Sequence, residues 1–191
     1  MVWHGWEACG VRGQGDLPPL AGQAAGPLLV CGSGRGLHND AARVPAAVPT
    51  LAVNLAALCV RRTVLHLASL HADLVQHLLA LRRQQQPGYI HTHANALDPT
   101  VESVWDFEGQ PPCSGLFGAL IGLALGHAPV LLAGCPEDDG GHFYDPIGLS
   151  GDYLTGGNEQ SWIWHRDNVF AGRVRSLSGR TGEWLGGFDG F

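Results

Sequence analysis

A three-layer α/β/α, Rossmann-like domain with a mainly parallel sheet is the fold this sequence predicts. Three observations carry that expectation. Short apolar runs alternate with segments of helical periodicity, the pattern of βαβ units. Glycine-rich and polar residues fall just after those runs, where open parallel sheets place their ligand-binding loops. The longest apolar stretch, within residues 113–145, is broken by Pro129 into a helix and a strand, and so does not read as a membrane span.

At 191 residues the chain has room for one sizeable core. Residues 1–27 read as an irregular N-terminal arm, and 28–191 as a single nucleotide-binding α/β domain. Hydrophobic residues make up 45% and charged ones 15%, which argues against disorder. The net charge of −6 gives no overall basic footprint for nucleic acid and leaves room only for a local patch. Five cysteines without a C-x-x-C spacing argue against a disulfide framework or zinc ribbon and favour a reducing cytoplasm. No basic segment followed by an apolar run opens the chain, so no signal peptide is expected.

In chain order, Leu28–Cys31 reads as the first strand, entering the turn Gly32-Ser33-Gly34-Arg35-Gly36. This G-x-G-x-G pattern is a weak dinucleotide fingerprint, equally readable as a tight βα turn without a ligand. Leu51–Val53 is the second strand, ending at Asn54. Residues 64–70 form a third, ending near Ser69 and His71. Leu74, Leu78 and Leu81 give a helix over 72–83 its apolar face. Tyr89–His93 is the fourth strand, and residues 94–112 read as a long loop. Ser114 caps a helix that Gly126 ends, with Gly118 and Gly122 leaving one face bare. Pro129–Ala133 is the fifth strand. Residues 146–160 read as a Gly-rich excursion and 161–169 as the start of a last helix. Residues 173–180 read as a basic tail segment or as a solvated strand and turn.

The polar residues gather at one edge of this sheet. Gly32, Ser33, Gly34 and Arg35 follow strand one, Asn54 strand two, and His71 strand three. His91 and His93 close strand four, while Glu137, Asp138, Asp139 and His142 follow strand five. His91-Thr92-His93 has the H-x-H spacing of metal-dependent hydrolases, but the chain is short for their barrel. Asp138 and Asp139 fit either a Mg²⁺ site against a diphosphate or two solvated loop acids. His142 fits either a general base, a role suited to imidazole near neutral pH, or a surface residue anchoring its loop beside Phe143 and Tyr144.

With these residues in place, the chain resembles the superfamily of bacterial sialyltransferases that use CMP-sialic acid. The group includes motility-accessory-factor glycosyltransferases and pterin-pyrophosphokinase-like proteins. The matching segments are Val30–Gly34, Asn54, Ser114-Gly115, Ala124–Gly126, Leu131–Gly134 and His142–Tyr144, within residues 28–145. The closing residues 173–181 resemble the tails of uncharacterised phage-encoded members. The resemblance implies that Gly32, Gly34, Asn54, Ser114 and Gly115 hold a nucleotide and that His142 is the general base. It implies a sugar moved from a CMP- or UDP-linked donor to a hydroxyl of a glycan, protein or modified DNA base. The family pattern has Asp where this chain has Pro136. The two rival expectations are a Mg²⁺-dependent diphosphotransferase and a non-enzymatic phage accessory protein that keeps the fold.

Overall fold

The computed structural model describes residues 21–84, 89–93, 101, 103–107, 111–138, 140–144 and 158–190. Seven strands form one sheet in the order β5-β4-β3-β2-β1-β6-β7. They are β1 (Leu28–Cys31), β2 (Thr50–Val53), β3 (His66–Ser69), β4 (Tyr89–His93), β5 (Ser103–Trp105), β6 (Val130–Ala133) and β7 (Val174–Ser176). Every pairing is parallel. In β1, β2, β3 and β6 each residue is buried. That is why these strands read as continuous apolar runs with little alternation.

Side chains alternate between two cores. Helices α1 (Leu37–Ala42) and α2 (Ala72–Gln84) cover the face carrying Leu29, Ala52, Leu67 and Leu131. Helix α3 (Ser114–Leu125) covers the face carrying Leu28, Val30, Leu51 and Leu132. Trp162 of α4 (Glu159–His165) and Leu185 of α5 (Gly179–Leu185) join the core on the side of α3. This is the three-layer α/β/α Rossmann-like architecture, and the sheet is parallel throughout. Among the described residues no helix is long and apolar enough to cross a membrane.

The apolar stretch divides at Pro129. Helix α3 ends at Gly126, whose φ of 108° is a left-handed C-cap that favours glycine, and β6 follows. All residues from Leu116 to Leu125 are buried. The bare face does what its spacing implies. A Cβ on Gly118 would lie 2.8 Å from Val30 Cγ1, and one on Gly122 would lie 2.9 Å from Leu28 Cδ2. Only glycine lets α3 lie this close to β1 and β6. The described end of the N-terminal arm docks here too, with Gly22 N–H on Ala124 O and Ala24 N–H on Leu125 O.

Several local expectations are corrected. Residues 94–112 are not loop throughout, because Ser103–Trp105 add β5 beside β4. Of the two readings of residues 173–180 the strand is the one present: β7 pairs with β6, with Val174 and Ser176 buried rather than solvated, and α5 begins at Gly179. Asn158, Glu159 and Gln160 belong to the start of α4 rather than to an excursion, and α4 passes into a π-turn over Arg166–Phe170. Cys113, not Ser114, is the N-cap of α3.

His91, one half of the H-x-H pair, is a core residue. His91 is fully buried; its Nδ1 accepts from Trp105 Nε1 (3.1 Å). The Nε2 must then carry the proton, which it gives to His66 Nδ1 at 2.9 Å. Both ring nitrogens of His91 are thus used inside the core.

Candidate functional site

The chain runs outward from β1 through β2, β3 and β4 to β5, then returns to β6 on the other side of β1. At such a reversal the loops leaving two neighbouring strands diverge, and the gap between them is the usual ligand crevice of open α/β sheets. A cleft of about 410 Å³ opens there. It brings together ten of the residues that the sequence singles out: Gly32, Ser33, Gly34, Asn54, His71, Ser114, Gly115, Glu137, Asp138 and His142. Arg35 is exposed and does not line it. Asp139 and the side chain of His93 lie outside the described residues.

The glycine turn is explained first by packing. A Cβ on Gly32 would meet Gly134 O at 2.6 Å, and one on Gly34 would meet Pro136 Cδ at 2.6 Å. Gly32 N–H donates to Ala133 O and Gly34 N–H to Gly134 O. These two amides are therefore spent on joining the exits of β1 and β6, and they are not available to an anion. Asp40, buried in α1, locks the same junction: its Oδ2 accepts from Gly134 N–H (2.9 Å) and from Ser178 Oγ (2.5 Å).

Free donors lie instead at the start of α3. The first amides of a helix have no intrahelical acceptor, and the N-terminus carries a partial positive charge. No hydrogen bond engages the amides of Ser114 and Gly115 among the described residues. Asn54, held at a left-handed φ of 52°, sits beside them. Ser69 Oγ donates to Asn54 Oδ1 at 2.9 Å, and Asn54 Nδ2 donates to Ser114 Oγ at 2.9 Å. This chain has a direction. It fixes the Asn54 amide and leaves the Ser114 hydroxyl proton as a donor for whatever enters the cleft.

The opposite wall carries acids and an imidazole. Glu137 has a left-handed φ of 50°, a conformation uncommon for a non-glycine residue and one that clusters at functional sites. Its Oε2 accepts from Asn158 Nδ2 at 3.1 Å. Asp138 Oδ1 is turned back onto Gly140 N–H at 2.9 Å. His142 pairs across to Gly34 in a short antiparallel bridge, and Phe143 N–H donates to Ser33 O at 2.9 Å. The His142 ring stacks flat on Tyr144, with centroids 4.8 Å apart and planes 6° from parallel. The loop bearing His142 is thus tied to the glycine turn.

Cys113 and Cys135 also line the cleft. Burial pushes both thiols well up, and the Glu137 carboxylate adds to the rise. Thiolate is scarce there at neutral pH, so the cleft does not offer a cysteine nucleophile. The described lining contains no Lys or Arg. An anion would be held by amides, hydroxyls and the α3 dipole. Among the described residues no three His, Cys, Asp or Glu side chains are grouped to hold a metal ion.

Asn158 is a cleft residue that sequence reasoning did not single out. For Asn158 a signal existed: a capping residue stands just before the Glu159–His165 helix. No protein-family model, curated protein or solved structure matches the chain.

Proposed function

We propose that this protein is a glycosyltransferase that moves a sugar from a nucleotide-activated donor to a hydroxyl acceptor. The observation that carries the reading is the convergence of the free α3 amides, the Ser69–Asn54–Ser114 donor chain and His142 on one cleft at the β1/β6 reversal. In this reading the phosphate leaving the sugar rests on the amides of Ser114 and Gly115 and on the Ser114 hydroxyl. Negative charge grows on that phosphate as the glycosidic bond breaks, and donors fixed in advance stabilise it without reorganisation. Asn54 positions Ser114. His142 takes the proton from the attacking acceptor hydroxyl, so the oxygen gains its new bond to the sugar as the nucleotide departs. Tyr144 holds the imidazole plane.

The test is turnover of sugar–nucleotides with His142→Ala. The variant is expected to keep donor affinity and to lose about 10²- to 10⁴-fold in kcat, the range for a lost general base. Retention of more than half the wild-type turnover would remove His142 from the mechanism. The donor is CMP- or UDP-linked in this proposal, and the acceptor is a hydroxyl of a glycan, protein or modified base.

A further inference from the structure

A second, larger groove lies away from this cleft, along the outer side of α1 and the segment leading into β2. Its volume is about 880 Å³, and no described residue lines both cavities. His38, Arg43, Arg61 and Arg62 supply its polar groups; Ala41, Ala42, Val44, Pro45 and Ala46 supply the rest. No Asp or Glu is among the described residues that line it, although the chain as a whole carries a net charge of −6. A local cluster of uncompensated cations on an acidic protein calls for a physical explanation.

Part of that explanation is structural. Arg62 spends all five N–H groups on the chain, with Nε on Thr50 Oγ1 and the two terminal nitrogens on the carbonyls of Ala41, Val44, Pro45 and Val48. Its donors are satisfied, but those acceptors are neutral, so the positive charge remains at the groove. Arg43 is fixed the same way, on the carbonyls of Leu177 and Phe188. The two anchors lie on different sides, since Thr50 begins β2 while Leu177 follows β7. The charges are therefore spread along the groove and do not converge on one point. Arg61 and His38 are exposed and have no hydrogen-bond or ion-pair partner among the described residues.

We propose that this groove binds the phosphodiester backbone of a nucleic acid strand. Spaced, immobilised cations without carboxylates between them suit a line of phosphates better than a single one. Arg61 and His38 keep donors for direct phosphate contact, while Arg43 and Arg62 provide fixed positive potential. The alkyl floor of Ala41, Val44 and Pro45 accepts the apolar faces of sugars and bases. The interaction belongs to a surface apart from the nucleotide cleft, and it does not depend on the function proposed for that cleft.

The experiment is fluorescence anisotropy of a labelled single-stranded oligodeoxynucleotide against the intact protein over a range of salt concentrations. Binding is expected at low salt, with log Kobs falling against log[salt] at a slope of about −2, the value for roughly three phosphates neutralised on a single strand. Arg61→Ala is expected to weaken binding roughly five- to tenfold at low salt and to reduce the slope by about 0.7, without changing Tm. His38→Ala provides a second variant with no internal bond to lose. Asn54→Asp, in the cleft, is expected to leave oligonucleotide binding unchanged. The proposal is overturned by no salt-dependent binding, by binding indifferent to both groove variants, or by binding abolished by Asn54→Asp. Capture of anionic phospholipid vesicles with no capture of the oligonucleotide would overturn it in favour of a membrane surface.

Discussion

Among single residues, the buried histidines make the sharpest physical statement. Burial, and then the neighbouring ring of His66, hold His91 down to about 3, while burial above all holds His66 to about 4. In the unfolded chain both titrate near the ordinary imidazole value of ~6.5. The unfolded state thus binds more protons once pH drops below that value. The stability from keeping these rings neutral is fully present above about pH 6.5 and is lost as pH falls towards 4 and then 3. Thermal unfolding should show Tm dropping between about pH 7 and 5, and His91→Gln should flatten the drop. A Tm unchanged across that interval would contradict the buried His66–His91–Trp105 arrangement. The sequence showed His91 as one half of an H-x-H pair and no more. Its core role depends on His66 and Trp105, which pairing across β3, β4 and β5 brings beside it.

Asn54 and Gly115 show the same limit. Asn54 was legible as the residue ending an apolar strand. Its link to Ser114, 60 positions away, was not, because a hydrogen bond across the sheet edge leaves no local pattern. The resemblance implies that Gly115 holds a nucleotide, but a Cβ there would face Cys135 Sγ at 3.3 Å and Trp162 Cζ2 at 3.6 Å. A large side chain at 115 is expected to disturb that packing, so Asn54 and Ser114 are the cleaner probes of the cleft.

At the scale of elements, α3 was the most legible part of the chain. Its length, its glycine stop and its bare face all follow from residues 114–126. Gly118 tests that account. An Ala Cβ would sit 2.8 Å from Val30 Cγ1, closer than side chains normally approach. Helix propensity alone would make Gly118→Ala stabilising by up to about 1 kcal/mol, while overpacking costs about 1–3 kcal/mol. The steric cost should win, lowering stability by about 1–2 kcal/mol in urea titration. A more stable variant would show that α3 does not rest against β1 as described. The outer strands were harder to read. β5 has three residues, and in β7 Arg175 sends Nη1 to Leu185 O, so neither has the continuous apolar run of the buried central strands. Edge strands gain their identity from the neighbour they pair with, which sequence periodicity cannot supply.

Across the whole molecule, the reversal of strand order between β1 and β6 decides where a ligand crevice can open. The alternation of strands and helices made the parallel sheet legible, and with it the edge where the polar residues collect. The strand order was not legible, and it is this order that sets Gly32–Gly34 beside Gly134–Asp138 and spends the glycine amides on turn packing. The donors that remain, at Ser114, Gly115 and Asn54, make the central claim a binding claim. Isothermal titration of the wild-type protein and Asn54→Asp with cytidine and uridine mono- and diphosphates tests it most directly. Asp tolerates the left-handed backbone at position 54, and its carboxylate would both lose the N–H to Ser114 and repel a phosphate. One of these nucleotides should bind wild-type protein with a stoichiometry of one, and Asn54→Asp should weaken it by at least about tenfold, ~1.4 kcal/mol. Heat from none of the four, or an affinity that Asn54→Asp leaves unchanged, would contradict the assignment of this cleft to a nucleotide.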